Sequence, residues 1–107
     1  MSTKSKSKLK AKPAPEGRKE KYILQLFVAG VSLNSISAIE NINMICEKYL
    51  KGRHELEIID IYQQPSLVVK EEIIAIPVLI KKFPLPEERL IGDLSDTQIV
   101  LKELRLT

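Results

Sequence analysis

The one side chain in this sequence that could serve thiol chemistry belongs to Cys46, its only cysteine. A dithiol oxidoreductase needs a Cys-x-x-Cys pair in the loop after its first strand, where a helix N-terminus lowers the pKa of the attacking thiol and the second thiol resolves the mixed disulfide. The corresponding loop reads Gly30-Val31-Ser32-Leu33. Cys46 instead falls within a predicted helix, on or near its apolar side, where a lone cysteine usually acts as a small hydrophobic residue. The sequence therefore predicts no turnover in an insulin-reduction assay.

Metal and acid–base chemistry have little support in the sequence. His54 is the only histidine and has no cysteine near it, so it lacks the ligand spacing of a zinc site. Two pairs of carboxylates, Glu71 with Glu72 and Glu87 with Glu88, are adjacent in sequence and therefore point apart. We interpret them as solvated surface. Since no glycine-rich phosphate loop is present either, the sequence does not support nucleotide binding, and no metal or cofactor is expected.

The first half of the chain reads as strand, helix, strand. Residues 22–28 are apolar at nearly every position except Gln25, as in a central strand covered on both faces. A helix is predicted from Asn34 or Ser35, either of which can cap it, to Gly52. Its apolar positions recur at steps of three and four residues: Ile36, Ile39, Ile42, Cys46, Tyr49 and Leu50. A second strand over residues 56–61 would then lie parallel to the first.

The second half predicts a short helix over residues 65–74 and a hairpin of two strands, 78–82 and 89–91. Pro84 and Pro86 bar a helix between those strands and favour a turn. Ser95 with Gln98 forms a capping box for a final helix that extends to residue 106. The predicted fold class is α/β with a thioredoxin-like order, βαβ-α-ββ-α, around a mixed four-stranded sheet.

Three further residues have predicted structural roles at the ends of these elements. Pro77 stands where thioredoxin-like proteins place a proline beside their substrate groove, and strand-entry geometry is its favoured role, with a protein-binding groove as the alternative. Gly92 and Asp93 lie just ahead of the last helix, where glycine relieves a tight turn and an acid favours the positive end of the helix.

Charge divides the chain into two parts. Residues 1–20 carry seven basic and two acidic side chains, and residues 21–107 carry ten basic and twelve acidic ones. We therefore predict a disordered basic tail, 1–20, followed by one mildly acidic domain, 21–107. Without aromatic residues the tail has no means of reading a nucleic-acid sequence. No apolar run or secretory leader is found, so a cytoplasmic protein without a membrane span is expected.

Two distant stretches, residues 22–30 (YILQLFVAG) and 83–96 (FPLPEERLIGDLSD), together resemble the KaiB family of bacterial circadian-clock proteins. The resemblance covers residues 21–106. The intervening segments follow in the order and spacing of the family: Asn34-Ser35, Ile59-Asp60-Ile61, Gln64-Pro65 and Ala75-Ile76-Pro77-Val78-Leu79.

The resemblance implies a non-enzymatic clock component that binds the hexameric KaiC ATPase, captures KaiA and competes with a thioredoxin-like kinase domain. It also implies a metamorphic protein, which rests as a tetramer with a differently folded C-terminal half and binds KaiC as a thioredoxin-like monomer. Four positions are implied as partner contacts: Ser37, Glu57, Glu72 and Arg89. Clock relatives look typically basic at all four, whereas this chain is basic only at Arg89, and a reversed charge weakens steering to the same partner.

Two residues of the final helix are predicted to bias the fold. Clock relatives carry a glycine near Glu103 and an acid near Arg105, and both replacements favour helix. The glycine replacement is worth roughly 0.8 to 1 kcal/mol, and the cation at the last turn on the order of 0.3 to 1 kcal/mol. The thioredoxin-like monomer is therefore expected to dominate, with fold switching weak or lost.

Three interpretations of function remain, in decreasing order of support. The first is a KaiB-like binding protein that acts on KaiC. The second is a KaiB-like adaptor that has lost KaiC binding and fold switching and serves another partner, for example in stress response. The third is a thioredoxin-like redox or nucleic-acid protein, which would require reactivity at Cys46.

Overall fold

A computed structural model describes residues 20–106 of the chain. Seven elements follow one another: β1 (Tyr22–Val28), α1 (Leu33–Tyr49), β2 (His54–Asp60), α2 (Pro65–Lys70), β3 (Val78–Phe83), β4 (Glu88–Ile91) and α3 (Thr97–Glu103). This is the predicted order of elements. The predicted tail, residues 1–20, lies outside the described residues except for Glu20.

The strands form one mixed sheet in the order β2-β1-β3-β4. β1 runs parallel to β2, with Tyr22 opposite His54 and Val28 opposite Asp60. β3 is antiparallel to both β1 and β4, and a β-bulge interrupts the β1–β3 register between Ile23 and Leu24. β1 is therefore a central strand, as the sequence predicts.

Alternate residues of β1 point to opposite faces of the sheet and into two separate cores. We call the face that carries Leu24, Leu26 and Val28 the front face, which is covered by α1 and α3. The helices, with Leu104 directly after α3, contribute seven residues to this core: Ala38, Ile42, Ile45, Cys46, Val100, Leu101 and Leu104. The opposite face, which we call the back face, carries a smaller core of Phe27, Ile59, Val78 and Ile80 beneath α2 and the segment that follows it.

The structure corrects the predicted ends of α1. Ser32, not Asn34 or Ser35, caps the helix, and its Oγ accepts a hydrogen bond from the Ser35 amide at 3.3 Å. Ser35 is fully buried and its Oγ accepts a hydrogen bond from the Ala29 amide at 3.0 Å, which fixes the β1–α1 loop. Ile36, predicted on the apolar side, is exposed because Ser35 takes the inward position. The helix ends at Tyr49, before Gly52.

The helices of the second half are shorter than predicted. α2 ends at Lys70, since the chain turns through a positive φ of 55° at Glu72. Asp96, rather than Ser95, caps α3 by accepting a hydrogen bond from the Ile99 amide. α3 ends at Glu103, and Arg105 has a left-handed φ of 63°.

Candidate partner-binding surface

The four predicted partner contacts do not form one patch. Arg89 and Glu57 both lie on the back face, at opposite edges of the sheet, in a cross-strand row that runs Glu57, Gln25, Ile80, Arg89. Glu57 is exposed and accepts a hydrogen bond from Gln25 Nε2 at 3.3 Å. Glu72 is exposed directly after Glu71, which reaches Arg89. Ser37 is half-buried in α1, on the front side of the sheet. The structure therefore brings three of the four to the back side and leaves Ser37 apart.

Arg89 belongs to a charged cluster on the back face. Its Nη2 lies 3.6 Å from Glu71 Oε1 and 3.5 Å from Glu87 Oε2. Lys82 Nζ lies 3.0 Å from the same Glu71 oxygen and 3.5 Å from Glu87 Oε1. The hydrogen bond from Lys82 to Glu71 raises the pKa of the lysine, the nearby carboxylate charges add to this, and partial burial opposes it. The cluster fixes the segment after α2 against the β3–β4 hairpin.

This cluster corrects the interpretation of Glu71 as solvated surface. Only 14% of its side chain is exposed, and it accepts two hydrogen bonds from Lys82, at 3.0 and 3.2 Å. The sequence signal was weak because Glu71 and Lys82 belong to different elements. Glu72, its neighbour, is exposed as predicted.

The end of the sheet where β1 and β2 terminate carries large apolar side chains that no element within residues 20–106 covers. We call this the loop surface and define it by Val31, Leu33, Tyr62 and Ile74. Their exposed fractions are 84%, 82%, 73% and 93%. The β1–α1 and β2–α2 loops are adjacent there, because a Cβ placed on Gly30 would lie 3.8 Å from the Tyr62 ring. Such a concentration of exposed apolar side chains at one end of a small domain makes the loop surface a candidate interaction site.

Pro77, Gly92 and Asp93 build the framework beneath this surface. Pro77 is buried, follows a cis peptide bond and accepts a hydrogen bond from the Gly92 amide at 2.9 Å. Gly92 has a φ of 118°, a conformation that favours glycine. The Asp93 carbonyl accepts a hydrogen bond from Asn41 Nδ2 at 2.8 Å, which ties the β4–α3 loop to α1. Pro84 and Pro86 lie in the β3–β4 turn at the other end, each after a cis bond.

Cys46 and His54, the two residues considered for redox and metal chemistry, both have structural contacts within the domain. Cys46 is buried in the front core, and burial, with a smaller contribution from Glu47, raises the pKa of its thiol to about 11, so the reactive thiolate is scarce at neutral pH. His54 Nδ1 lies 2.8 Å from the Leu50 carbonyl and links the end of α1 to the start of β2. Within residues 20–106 no group of three or more candidate ligands could hold a metal ion, and no helix there could cross a bilayer.

The two residues predicted to bias the fold occupy other positions than expected. Glu103 is the last residue of α3, not an interior one, so the penalty for glycine there is smaller than predicted. Arg105 lies beyond the helix, and Lys102 is the cation of the last turn. The expectation that Arg105 stabilises that turn is therefore wrong. Arg105 instead forms an exposed ion pair with Glu88 at 3.3 Å.

The amino-acid sequence of this chain is similar to that of a known protein family. The KaiB domain model matches residues 25–106. The circadian clock oscillator protein KaiB of Thermostichus vulcanus is 44% identical over 85 residues, which are 79% of this chain and 79% of that protein. The protein of the same name from Prochlorococcus marinus (strain MIT 9312) is 45% identical over 85 residues, 79% of this chain and 81% of its own.

Solved structures support the fold class. The N-terminal domain of Synechococcus elongatus SasA aligns with a TM-score of 0.65 at 22% identity, over 91% of this chain and 95% of that domain. Chloroplastic thioredoxin z aligns with a TM-score of 0.68 at 19% identity, over 81% and 79%. At such identities the likeness concerns the fold alone, and it confirms the predicted thioredoxin-like class.

Proposed function

Because the chain belongs to the KaiB family, we propose that it is a non-enzymatic protein-binding component of a circadian clock or a related KaiC-linked regulatory system. Its proposed partner is a hexameric KaiC-type ATPase, with a KaiA-like protein as a second partner, in the cytoplasm. The observation that carries the proposal is the loop surface. It offers large apolar side chains for binding where a thioredoxin-like enzyme would have its cysteine pair.

The loop surface is suited to a protein partner rather than to a small molecule. Val31 and Tyr62 are exposed on two neighbouring loops, Leu33 at the first residue of α1, and Ile74 in the segment between α2 and β3. Apolar and aromatic residues that are buried at the centre of an interface supply most of its binding energy. The β1–α1 loop is held by the hydrogen bond from the Ala29 amide to Ser35, and the β2–α2 loop by the one from the Tyr62 amide to Asp60, so little ordering is needed on binding.

Charge on the back side tunes this binding. Glu57 and Glu72 are exposed acids, whereas Arg89 is held by two carboxylates. A partner that presents acidic groups to this side is repelled by Glu57 and Glu72, which slows association more than it weakens the final apolar contact. We therefore propose slower complex formation than in a relative that is basic at these positions.

We further propose that the chain acts as a thioredoxin-like monomer whose switching to a second fold is weak or lost. α3 supports this, since Val100, Leu101 and Leu104 are buried in the front core. The Tyr22 hydroxyl also donates a hydrogen bond to the Leu104 carbonyl at 2.9 Å, which ties the end of α3 to the start of β1. If α3 adopted another fold, the burial of these three side chains and the hydrogen bond from Tyr22 would both be lost.

The test is a titration of the full chain against hexameric KaiC with nucleotide, followed by size-exclusion chromatography. Stoichiometric co-elution is the expected result. Leu33→Asp places a charge on the loop surface and should weaken the complex by about tenfold or more, as for the loss of an interface anchor. Leu33 is the first residue of α1, where an acid favours the helix end, so the variant should remain folded.

Leu85→Asp is the matched control, because Leu85 is 74% exposed at the opposite end of the sheet, in the β3–β4 turn. It should bind as the parent chain does. Equal weakening by both variants would contradict the loop surface as the site. No complex after days of incubation would contradict KaiC as partner and favour the adaptor with another partner, to be found by capture from cell extract.

A further inference from the structure

β4 leaves one edge of the sheet open. Among residues 20–106 it pairs only with β3, in the register Val78 with Ile91 and Lys81 with Glu88. An unpaired strand edge presents a row of amide and carbonyl groups with which another strand can pair. β4 is therefore able to form backbone hydrogen bonds to a further strand.

The register of β4 with β3 identifies the backbone groups that face outward. The Gly92 amide donates a hydrogen bond to the Pro77 carbonyl at 2.9 Å, so this pair is bonded toward β3. Bonded and non-bonded pairs alternate along an antiparallel ladder, so the amides and carbonyls of Arg89 and Ile91 point away from β3. A strand added at this edge would bond to these two residues.

A cleft of about 330 Å³ adjoins the open edge, between β4 and α3. Three carboxylates line it: Asp93, Asp96 and Glu103. Asp93 and Asp96 each accept a backbone amide hydrogen bond, at 3.0 and 3.3 Å, which fixes their carboxylates in place. No ion pair within residues 20–106 involves any of the three. Arg89 also lines the cleft, but its guanidinium group is held by the charged cluster on the back face, so the cleft keeps its negative charge.

The two sides of the open edge differ in character. α3 lies on the front side of the sheet, so the acidic cleft flanks the edge on that side. Ile91 lies on the back side, opposite Val78 of the back core, and is 66% exposed. Ile99, which lines the cleft and is 55% exposed, offers an apolar contact to the stem of a long basic side chain. Since alternate residues of a strand face opposite ways, the added strand that fits is basic on its front side and apolar on its back side.

We propose that the β4 edge binds an extended segment of a partner protein in which lysine or arginine alternates with apolar residues. The segment adds as a fifth strand antiparallel to β4, since antiparallel pairing is slightly more stable than parallel pairing. Its apolar residues lie opposite Arg89 and Ile91 on the back side, and its backbone bonds to both. Its basic residues lie opposite Glu88, Leu90 and Gly92 on the front side and reach the carboxylates of the cleft.

This binding site is separate from the loop surface. Val31, Leu33, Tyr62 and Ile74 do not line the cleft, and none of them belongs to β4. The inference goes beyond the proposed function, because it concerns a second partner segment and a different edge of the molecule. Either can hold when the other fails.

The probe is the blocked pentapeptide KVKVK, titrated into the isotope-labelled full-length chain. Amide chemical shifts should change at residues 89–93 and 99–103. With the peptide at ten times its Kd, hydrogen exchange of the Arg89 and Ile91 amides should slow by about tenfold. The Gly92 amide, already bonded to β3, should keep its exchange rate. The peptide EVEVE should not bind, because it places like charges against the cleft.

N-methylation of the peptide separates strand pairing from charge attraction. In an antiparallel strand bonded to Arg89 and Ile91, the valine amides face β4 and the lysine amides face away. A peptide that is N-methylated at both valines should therefore bind about tenfold more weakly or worse, because two hydrogen bonds are lost. The isomer that is N-methylated at the last two lysines has the same composition and charge, and it should bind as KVKVK does.

Charge reversal supplies a matched pair of protein variants. Glu103→Lys replaces a carboxylate of the cleft by a cation and should weaken KVKVK binding by about threefold or more. Glu103 ends α3, where a cation favours the helix, so the variant should remain folded. Glu47→Lys makes the same change of charge at an exposed position in the last turn of α1, outside the cleft, and should leave binding nearly unchanged.

Three results would overturn the proposal. The first is equal binding of the two N-methylated peptides, or weakening of the lysine-methylated one alone. The second is equal weakening by Glu103→Lys and Glu47→Lys, which would reduce the binding to nonspecific charge attraction. The third is protection of Arg89 and Ile91 that rises with protein concentration in the absence of peptide, which would assign the edge to a second copy of the chain.

Discussion

The two faces of the sheet are closed in different ways. The front face is sealed by two helices over a continuous apolar core, whereas the back face is sealed only near the loop surface, where Phe27, Ile59 and Val78 lie beneath α2 and the segment after it. Farther from that end, the back face carries Gln25 and the charged cluster of Arg89. The front face therefore holds the larger buried core, and the back face combines a smaller core with charged and polar side chains.

Neighbouring residues of α3 should give the largest contrast. Leu101 is 2% exposed in the front core and Ile99 is 55% exposed. Leu101→Ala should lower the free energy of unfolding by about 2 to 5 kcal/mol, and Ile99→Ala by well under half as much, measured by urea denaturation. In a strand these two residues would share one face. Equal costs would contradict the helical packing of α3.

Lys81 is the one charged side chain buried on the front face among the described residues, and its Nζ has no hydrogen-bond partner. Lys81→Met keeps the stem and removes the charge. It should raise the free energy of unfolding by about 1 to 3 kcal/mol, since an unsatisfied buried polar group carries a penalty of that order. A decrease in stability would mean that the ammonium group has a stabilising partner.

The same substitution has a predicted pH dependence. Burial lowers the pKa of Lys81 in the folded protein below its ordinary value of 10.5. The unfolded chain therefore binds the proton more tightly, and the folded state gains stability as pH rises from the lowered pKa toward 10.5. The advantage of Lys81→Met over the parent chain should shrink across that window, which denaturation at a series of pH values would measure. A constant difference would contradict the lowered pKa.

The charged cluster on the back face should give the smallest effect. Glu71→Gln removes a carboxylate that holds Lys82 and Arg89, and should cost about 1.5 to 2 kcal/mol, at the low end of the range for hydrogen bonds to charged groups. Because Glu71 raises the pKa of Lys82, its contribution is complete below pH 10.5 and is lost as pH rises through the raised value. Glu72→Gln, at the exposed neighbour, should change stability by less than about 0.5 kcal/mol. Similar effects of both would contradict the cluster.

The front face was largely predictable from the sequence. The apolar run of β1 and the three- and four-residue spacing in α1 predicted the strand and the helix that cover each other. Ser35 was missed as a buried residue, because its inward position depends on a hydrogen bond from the Ala29 amide in the preceding loop. Local pattern alone favours Ile36 at such a place.

The candidate site was less predictable. The family resemblance pointed to four positions, of which Ser37 lies away from the other three, and the loop surface was missed. Its signal was nevertheless present, since Val31, Leu33 and Tyr62 are large apolar residues outside the periodic core pattern.

The left-handed conformation of Arg105 accompanies local hydrogen bonds at the end of α3, from the Arg105 amide to the Lys102 carbonyl and from the Leu106 amide to the Leu101 carbonyl. The pairing of Glu71 with Arg89, in contrast, depends on contacts between distant segments. Sequence spacing carries no direct signal for such contacts.

The most direct test of the central claim is the backbone chemical shifts of residues 97–103 in the free, full-length chain. The claim is that the thioredoxin-like state, with α3 closing the front face, exists before any partner binds. It predicts helical shifts over 97–103 and strand shifts over 88–91, both unchanged when KaiC is added. Strand-type shifts across residues 97–103 in the free chain would contradict it.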